Sequence, residues 1–318
     1  MKIVFMGTPE FALPSLQRLL ENQAQVVAVV TGVDKPSGRG LQVIENPVKQ
    51  FAKQAGLPIL QPDKLNALAF TTALQELEPD LFIVVAFRIL PRAVFAIPPQ
   101  GTINLHAALL PKYRGAAPIQ WAIINGESET GITTFFIDDK MDTGEILLQK
   151  KTSIGENETA GELHDRLAVM GAELLQETVM QLTTGRLQSQ PQRGEASLAP
   201  KITKDMAQID WRKPARYLRN FVRGMNPAPA AFTHWQNKIL RIFVAEVREF
   251  QISSYLPGEI CFVDTPRGEL WIQTGEGALA VLELQLAGKR GMSATEFLRG
   301  HATSLRDKLE YKTQAEVR

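Results

Sequence analysis

The sequence predicts an α/β chain in two parts: a parallel sheet layered with helices, then a small β-barrel. Three observations carry that reading. Short β-rich runs alternate with helical patterns over the first 185 residues, as the strands and crossover helices of a parallel sheet do. The periodicity then stops in Leu187-Gln188-Ser189-Gln190-Pro191-Gln192-Arg193-Gly194, part of a Gln-, Ser-, Pro- and Lys-rich stretch that reads as a linker. Beyond it, short β runs recur roughly every ten residues with Gly between them, the pattern of a small barrel. The expected division is 1–186, a linker at 187–207, and 208–318.

Taken in order, Lys2–Met6 reads as a buried strand running into Gly7-Thr8-Pro9, with a helix following through Leu20. Val26–Thr31 is a second, β-branched strand, and Leu81–Ala86 a third behind the turn Glu78-Pro79-Asp80. Thr102–His106 is a short strand, and Ile132–Ile137 with Ile146–Gln149 flank an Asp/Gly turn as a hairpin would. Helical patterns cover Pro47–Ala55, Ala67–Leu77, Pro118–Asn125 and Ala160–Thr184. In the second part, Trp211–Gly224 reads as a helix and Asn226-Pro227-Ala228-Pro229 as a break. Strands follow at Ala231–Trp235, Ile239–Val247, Gly258–Val263, Leu270–Thr274 and Ala278–Gln285.

Composition narrows the class. With 44% apolar and 22% charged residues over 318 positions, the chain has enough apolar matter for real cores, which excludes dominant disorder. A single cysteine, Cys261, excludes an internal disulfide framework and suits a reducing compartment. No apolar run approaches the roughly 18 residues of a membrane helix, and Met1–Gly7 is too short for a signal peptide. A soluble, cytoplasmic monomer is expected. The net charge of +1 hides an asymmetry: residues 201–318 hold 18 Lys and Arg against 13 Asp and Glu. That mild excess either points to a polyanion partner for the second part or is chance.

The chemistry-bearing residues concentrate in the first part. Gly7-Thr8-Pro9 stands where a dinucleotide-binding turn would carry three glycines. Pro9 and Phe11 occupy that stretch instead, so the sheet is Rossmann-like and NAD is not expected. Asn104 and His106 lie two apart on an extended segment, so their side chains share a face near a strand's carboxyl end. An amide donor and an imidazole converging there suit oxyanion stabilisation and proton transfer. The ordinary alternative is a histidine that satisfies a core carbonyl. Asp138, Asp139 and Asp142 crowd one turn; one of them would orient the imidazole, and spacing does not say which. The other histidines and Cys261 have no metal-ligand spacing, so no metal is expected. Asp34-Lys35-Pro36-Ser37-Gly38-Arg39-Gly40 is a Gly/Pro-rich loop whose Lys35 and Arg39 either grip a phosphate backbone or are solvated charges.

These pieces together resemble the methionyl-tRNA formyltransferase family over essentially the whole chain. The resemblance rests on Gly7-Thr8-Pro9-Glu10-Phe11, the loop Asp34–Gly40, Asn104-Leu105-His106 and Leu109–Ile119. It continues through Met141-Asp142-Thr143-Gly144, Ile209-Asp210-Trp211, Asn226-Pro227-Ala228-Pro229 and Ala287-Gly288-Lys289. It implies formyl transfer from 10-formyltetrahydrofolate to the α-amino group of initiator methionyl-tRNA, with neither metal nor NAD. It implies a catalytic trio of Asn104, His106 and Asp142, and a folate-contacting loop at Ala108-Leu109-Leu110-Pro111. It also implies tRNA contacts at Lys35 and Arg39, and an OB-like C-terminal platform bearing Lys289 and Arg290. Two departures stand out. The family often has Ser where this chain has Ala108, and its Ala-Tyr-Gly stretch is replaced by Ala86-Phe87-Arg88-Ile89-Leu90-Pro91, one residue shorter. Two other classes compete: a folate-dependent formyltransferase acting on a sugar-nucleotide or purine-precursor amine, and a nonenzymatic RNA-binding protein. The first would share the trio without a basic loop or barrel; the second has no use for the trio.

Overall fold

The computed structural model describes residues 1–37, 42–249 and 254–311. Its contacts divide the chain into two compact units. One gathers Met1–Pro118, Glu129–Ser153 and His164–Pro200; the other gathers Ile119–Ser128, Ile154–Leu163 and the chain from Lys201 onward.

Up to the end of the first unit the elements are β1 (Lys2–Gly7), α1 (Leu13–Glu21), β2 (Gln25–Val30), β3 (Lys35–Ser37), β4 (Gln42–Ile44), α2 (Pro47–Gln54) and β5 (Ile59–Leu60). They continue with α3 (Leu68–Glu76), β6 (Leu81–Val85), α4 (Arg92–Phe95), β7 (Thr102–His106), β8 (Arg114–Gly115) and α5 (Pro118–Ile124). Then come β9 (Glu129–Phe136), β10 (Ile146–Ser153), α6 (Ala160–Thr183) and β11 (Leu198–Ala199). The main sheet runs β10-β9-β7-β6-β1-β2-β5. β5, β2, β1, β6 and β7 are parallel neighbours, and β9 and β10 close one side antiparallel.

All five residues of β6, Leu-Phe-Ile-Val-Val, are buried, as a strand covered on both faces requires. Each such side chain contributes roughly 1.5–3 kcal/mol on leaving water. A Cβ on Gly7 would sit 2.7 Å from the Ala12 Cβ, so only glycine lets the turn after β1 pack so closely. Strand order reverses between β1 and β6. The crevice such a switch leaves open lies at the carboxyl ends of β1 and β6, and Asn104 and His106 stand on the adjoining strand, β7.

The second unit adds α7 (Ala215–Met225), β12 (Ala231–Trp235), β13 (Lys238–Arg248), β14 (Ile260–Asp264), β15 (Glu269–Gln273) and β16 (Ala278–Leu286). β17 (Met292–Ser293), α8 (Ala294–Gly300) and β18 (Leu309–Glu310) complete it. Its sheet is antiparallel, in the order β14-β15-β16-β13-β12-β18. It curls until its two edges meet: Ile260 N–H donates to the Asp307 carbonyl at 2.9 Å, and Leu309 N–H to the Gly258 carbonyl at 2.8 Å. Inside lie Trp235, Leu240, Ile242, Ile272, Leu279 and Phe297. The expected OB-like barrel is therefore a curled sheet closed by these edge bonds.

Three expectations change in detail. The helix expected from Trp211 begins at Ala215, because Pro214 is its N-cap and disfavours helical geometry at Lys213 before it. The stretch Asp34–Gly40 is not all loop: β3 pairs antiparallel with β4, Lys35 opposite Ile44. The expected linker is bonded back onto the first unit at Gln190, Gln192, Ser197 and Ala199. Arg114 N–H donates to the Ser197 carbonyl at 2.9 Å, Ala117 N–H to that of Ala199 at 3.1 Å, and β11 lies parallel to β8. Periodicity missed this because a single backbone-paired strand of two residues has no repeat to detect. Among the described residues no helix is long and apolar enough to cross a membrane.

Candidate active site

β7 alternates as expected. Ile103 and Leu105 are buried in the sheet, and Asn104 and His106 share the other face. His106 is only 6% exposed, and its Nε2 lies 2.8 Å from the Tyr113 carbonyl oxygen. A carbonyl only accepts, so Nε2 carries a proton and donates it. That leaves Nδ1 uncommitted to the Tyr113 carbonyl, a lone pair in the neutral ring and a second N–H in the cation. Nδ1 stands 3.8 Å from Asp142 Oδ2, too far for a direct hydrogen bond and within ion-pair reach of a protonated ring. The same Oδ2 accepts the Gly115 N–H at 2.7 Å, which fixes the carboxylate.

Tyr113 (φ 59°) and Asp142 (φ 54°) both sit in the left-handed region, where side chains are uncommon. Gly115 must be glycine, since its φ is 126° and a Cβ would meet the Ala199 carbonyl oxygen at 2.5 Å. Of the other two aspartates, Asp138 accepts Lys140 N–H at 3.0 Å and the Thr143 hydroxyl at 2.7 Å within its own turn. Asp139 pairs with exposed Arg92 at 2.5 Å. The structure thus brings Asp142 alone of the three to the imidazole.

The loop Ala108–Pro111 is held from β9 and β10. The Thr133 hydroxyl donates to the Ala108 carbonyl at 2.6 Å and accepts Leu110 N–H at 3.2 Å and the Gln149 amide at 2.9 Å. Gln149 also donates to the Leu110 carbonyl at 2.9 Å. One hydroxyl thereby uses its full hydrogen-bonding capacity. Ala108 is wholly buried and Leu110 nearly so, so of the four expected folate contacts only Leu109 and Pro111 keep part of their surface.

Beside the imidazole lies a cavity of about 130 Å³ bordered by Phe87, Leu90, Asn104, Phe135, Ile137 and Asp142. Its mouth is shaped by Arg88, whose guanidinium donates to the Pro62 and Asp63 carbonyls at 2.7 and 3.0 Å and lies 5.3 Å from the Phe87 ring centre. The stretch after β6 thus places the Phe87 ring at a cavity bordered on one side by apolar side chains and on the other by the charged turn Asp138–Asp142.

The expected tRNA contacts are less gathered. Lys35 opens β3, and Arg39 lies outside the described residues. The base of that hairpin is anchored by Asp34, which takes the Lys49 ammonium and the Gln61 amide; these hold its carboxyl below the usual carboxylate range. In the second unit Lys289 and Arg290 are exposed, with Arg290 3.3 Å from Glu296.

Residues 1–179 match the family model described as formyl transferase, and residues 201–302 that of its C-terminal domain. A methionyl-tRNA formyltransferase of Caldanaerobacter subterraneus subsp. tengcongensis is 48% identical over 304 residues, 95% of this chain and 97% of that one. The chain belongs to the methionyl-tRNA formyltransferase family. The counterpart from Pelotomaculum thermopropionicum is 47% identical over 301 residues, 94% of this chain and 96% of its own. Among solved structures, the methionyl-tRNA formyltransferase of Clostridium thermocellum matches with a TM-score of 0.55 at 17% identity, covering 79% of this chain and 95% of that one. An N-formyltransferase from Helicobacter canadensis, solved with folinic acid and dTDP-3-aminofucose, matches with a TM-score of 0.64 at 19% identity, covering 88% and 98%. At those identities the structures support the shared fold alone.

The site thus gathers an amide side chain, an imidazole with one nitrogen fixed and the other facing an immobilised carboxylate, and a cavity with an aromatic border. Sequence reasoning missed Tyr113, Gly115, Thr133 and Gln149. The first two act through backbone atoms, which no residue type advertises. Thr133 and Gln149 sit on strands where their types look like ordinary sheet residues.

Proposed function

We propose that the chain transfers the formyl group of 10-formyltetrahydrofolate to the α-amino group of methionine carried by initiator tRNA. The observation that carries the reading is His106 Nδ1 facing Asp142 beside the Phe87–Phe135 slot, in a chain almost half identical to methionyl-tRNA formyltransferases. The folate's flat ring would enter the slot, with the formyl carbon presented toward Asn104 and His106. The amine nitrogen attacks that carbon, and the carbonyl electron pair moves onto oxygen. The Asn104 amide and the Nδ1–H of cationic His106 would stabilise this oxyanion. Asp142 would take the amine proton, directly or through one water. Collapse re-forms the carbonyl, breaks the bond to the folate nitrogen and returns a proton to it.

The competing substrate is a small amine such as an aminosugar nucleotide. The purified protein is expected to formylate methionyl-tRNA and to leave uncharged tRNA, free methionine and an aminosugar nucleotide untouched. tRNA binding should weaken with salt, and Lys289→Ala and Arg290→Ala should each reduce the log–log slope by about one while folate affinity stays constant. Slopes equal to wild type would remove those two residues from the contact surface. Formylation of the aminosugar at a comparable rate would replace the proposed acceptor.

A further inference from the structure

The side chain that ties the two halves of the site together comes from the stretch expected to be a linker. Gln192 is part-buried, and its amide nitrogen donates to the carbonyls of Asp142 and Gly144, both at 2.9 Å. Its Oε1 accepts from Arg114 Nη2 at 2.6 Å and Nε at 3.2 Å. Every donor and acceptor of that amide is used. Arg114 stands between Tyr113, whose carbonyl fixes His106 Nε2, and Gly115, whose N–H fixes Asp142 Oδ2. The same segment supplies the Ser197 hydroxyl, which accepts the Tyr113 N–H at 2.9 Å. Gln192 thus bridges the loop carrying Asp142 and the loop orienting the imidazole, and both loops contain a side-chain-bearing residue at positive φ. Of these residues Arg114 and Gly115 (β8) ladder with β11 and not with the loop carrying Asp142, so no backbone ladder between the two loops sets their spacing.

We propose that Gln192 is a positioning residue for formyl transfer: it sets the separation between the Asp142 carboxylate and His106 Nδ1. The inference rests on the reading that these two groups carry the chemistry. An isosteric glutamate keeps the Arg114 contact and turns a carboxylate oxygen toward two carbonyl oxygens, which repel it. An isosteric methionine removes all four bonds with little change in volume.

The test compares Gln192→Glu, Gln192→Met, Asp142→Ala and the Gln192→Met/Asp142→Ala double variant. The readouts are kcat, KM for the folate and for methionyl-tRNA, and Tm. Both Gln192 variants should lose about 10- to 100-fold in kcat, since misplacement of about an ångström costs that much, with each KM within about twofold of wild type. In the double variant the Gln192 change should add no further loss, because its effect runs through Asp142. Gln192 variants within about threefold of wild type would overturn the proposal, as would losses that multiply in the double variant, or unfolding of both variants. If Asp142→Ala instead retains wild-type activity, the underlying catalytic reading fails, a result distinguishable from a silent Gln192.

Discussion

His106→Ala is expected to lower the rate of formyl transfer by about 10³-fold or more while leaving folate and tRNA affinities near wild type. One oxyanion donor is worth about 10²–10³ in rate, and loss of the proton-bearing Nδ1 adds to that. Binding should survive because the ring is nearly buried and its other nitrogen is committed to the Tyr113 carbonyl, so it offers little surface to a ligand. Asn104→Ala and Asp142→Ala should follow, and pairs of these changes should fall far short of the product of the single losses, since the groups act as a unit. Single-turnover rates with saturating folate and charged tRNA give the comparison. A His106→Ala enzyme within about tenfold of wild type would remove the imidazole from the mechanism.

Gly144→Ala is the second change with a large expected effect, and it acts on the backbone. A Cβ there would lie 1.7 Å from the Phe136 carbonyl oxygen and 2.8 Å from its carbon, so the turn between β9 and β10 must open. Overpacking of that kind costs on the order of 3 kcal/mol. The turn carries Asp142 two residues upstream, so kcat should also fall by about 10²-fold from misplacement of the carboxylate. Gly300→Ala, where the added methyl meets open space, is the control and should change neither quantity. Equal denaturation midpoints and equal kcat for Gly144→Ala and wild type would mean that this turn does not hold the site.

Much of the fold is legible because its signals are local. The apolar runs of β1 and β6 and the long amphipathic α6 announce themselves by composition and period. Spacing also puts Asn104 and His106 on one face, since a strand's period is two. What spacing left open was which aspartate meets the imidazole. That depends on a left-handed Asp142 and on the bond from Gly115 N–H to its carboxylate, neither of which is written in residue type. The stretch at 187–207 looks like a linker for a related reason: Ser197 and Ala199 meet residues more than 80 positions earlier through backbone groups, and long-range pairing of two-residue strands leaves no periodic trace. The apolar period of α7 extends back to Trp211, four residues ahead of Ala215, while Pro214 starts the helix itself at Ala215, so periodicity alone places its start too early. Ala108 is the converse case, where resemblance pointed to a ligand contact and packing encloses the side chain.

The assignment of roles turns on which imidazole nitrogen is free to work. Nitrogen-15 NMR of the histidine-labelled protein, taken where the His106 ring is neutral, reads this directly. The Tyr113 carbonyl requires a protonated Nε2 and a lone pair on Nδ1, so Nε2 should show the shift and proton coupling of an N–H and Nδ1 those of a bare nitrogen. The opposite tautomer, with the proton on Nδ1 and a bare Nε2, would contradict the geometry on which the proposed transfer is built.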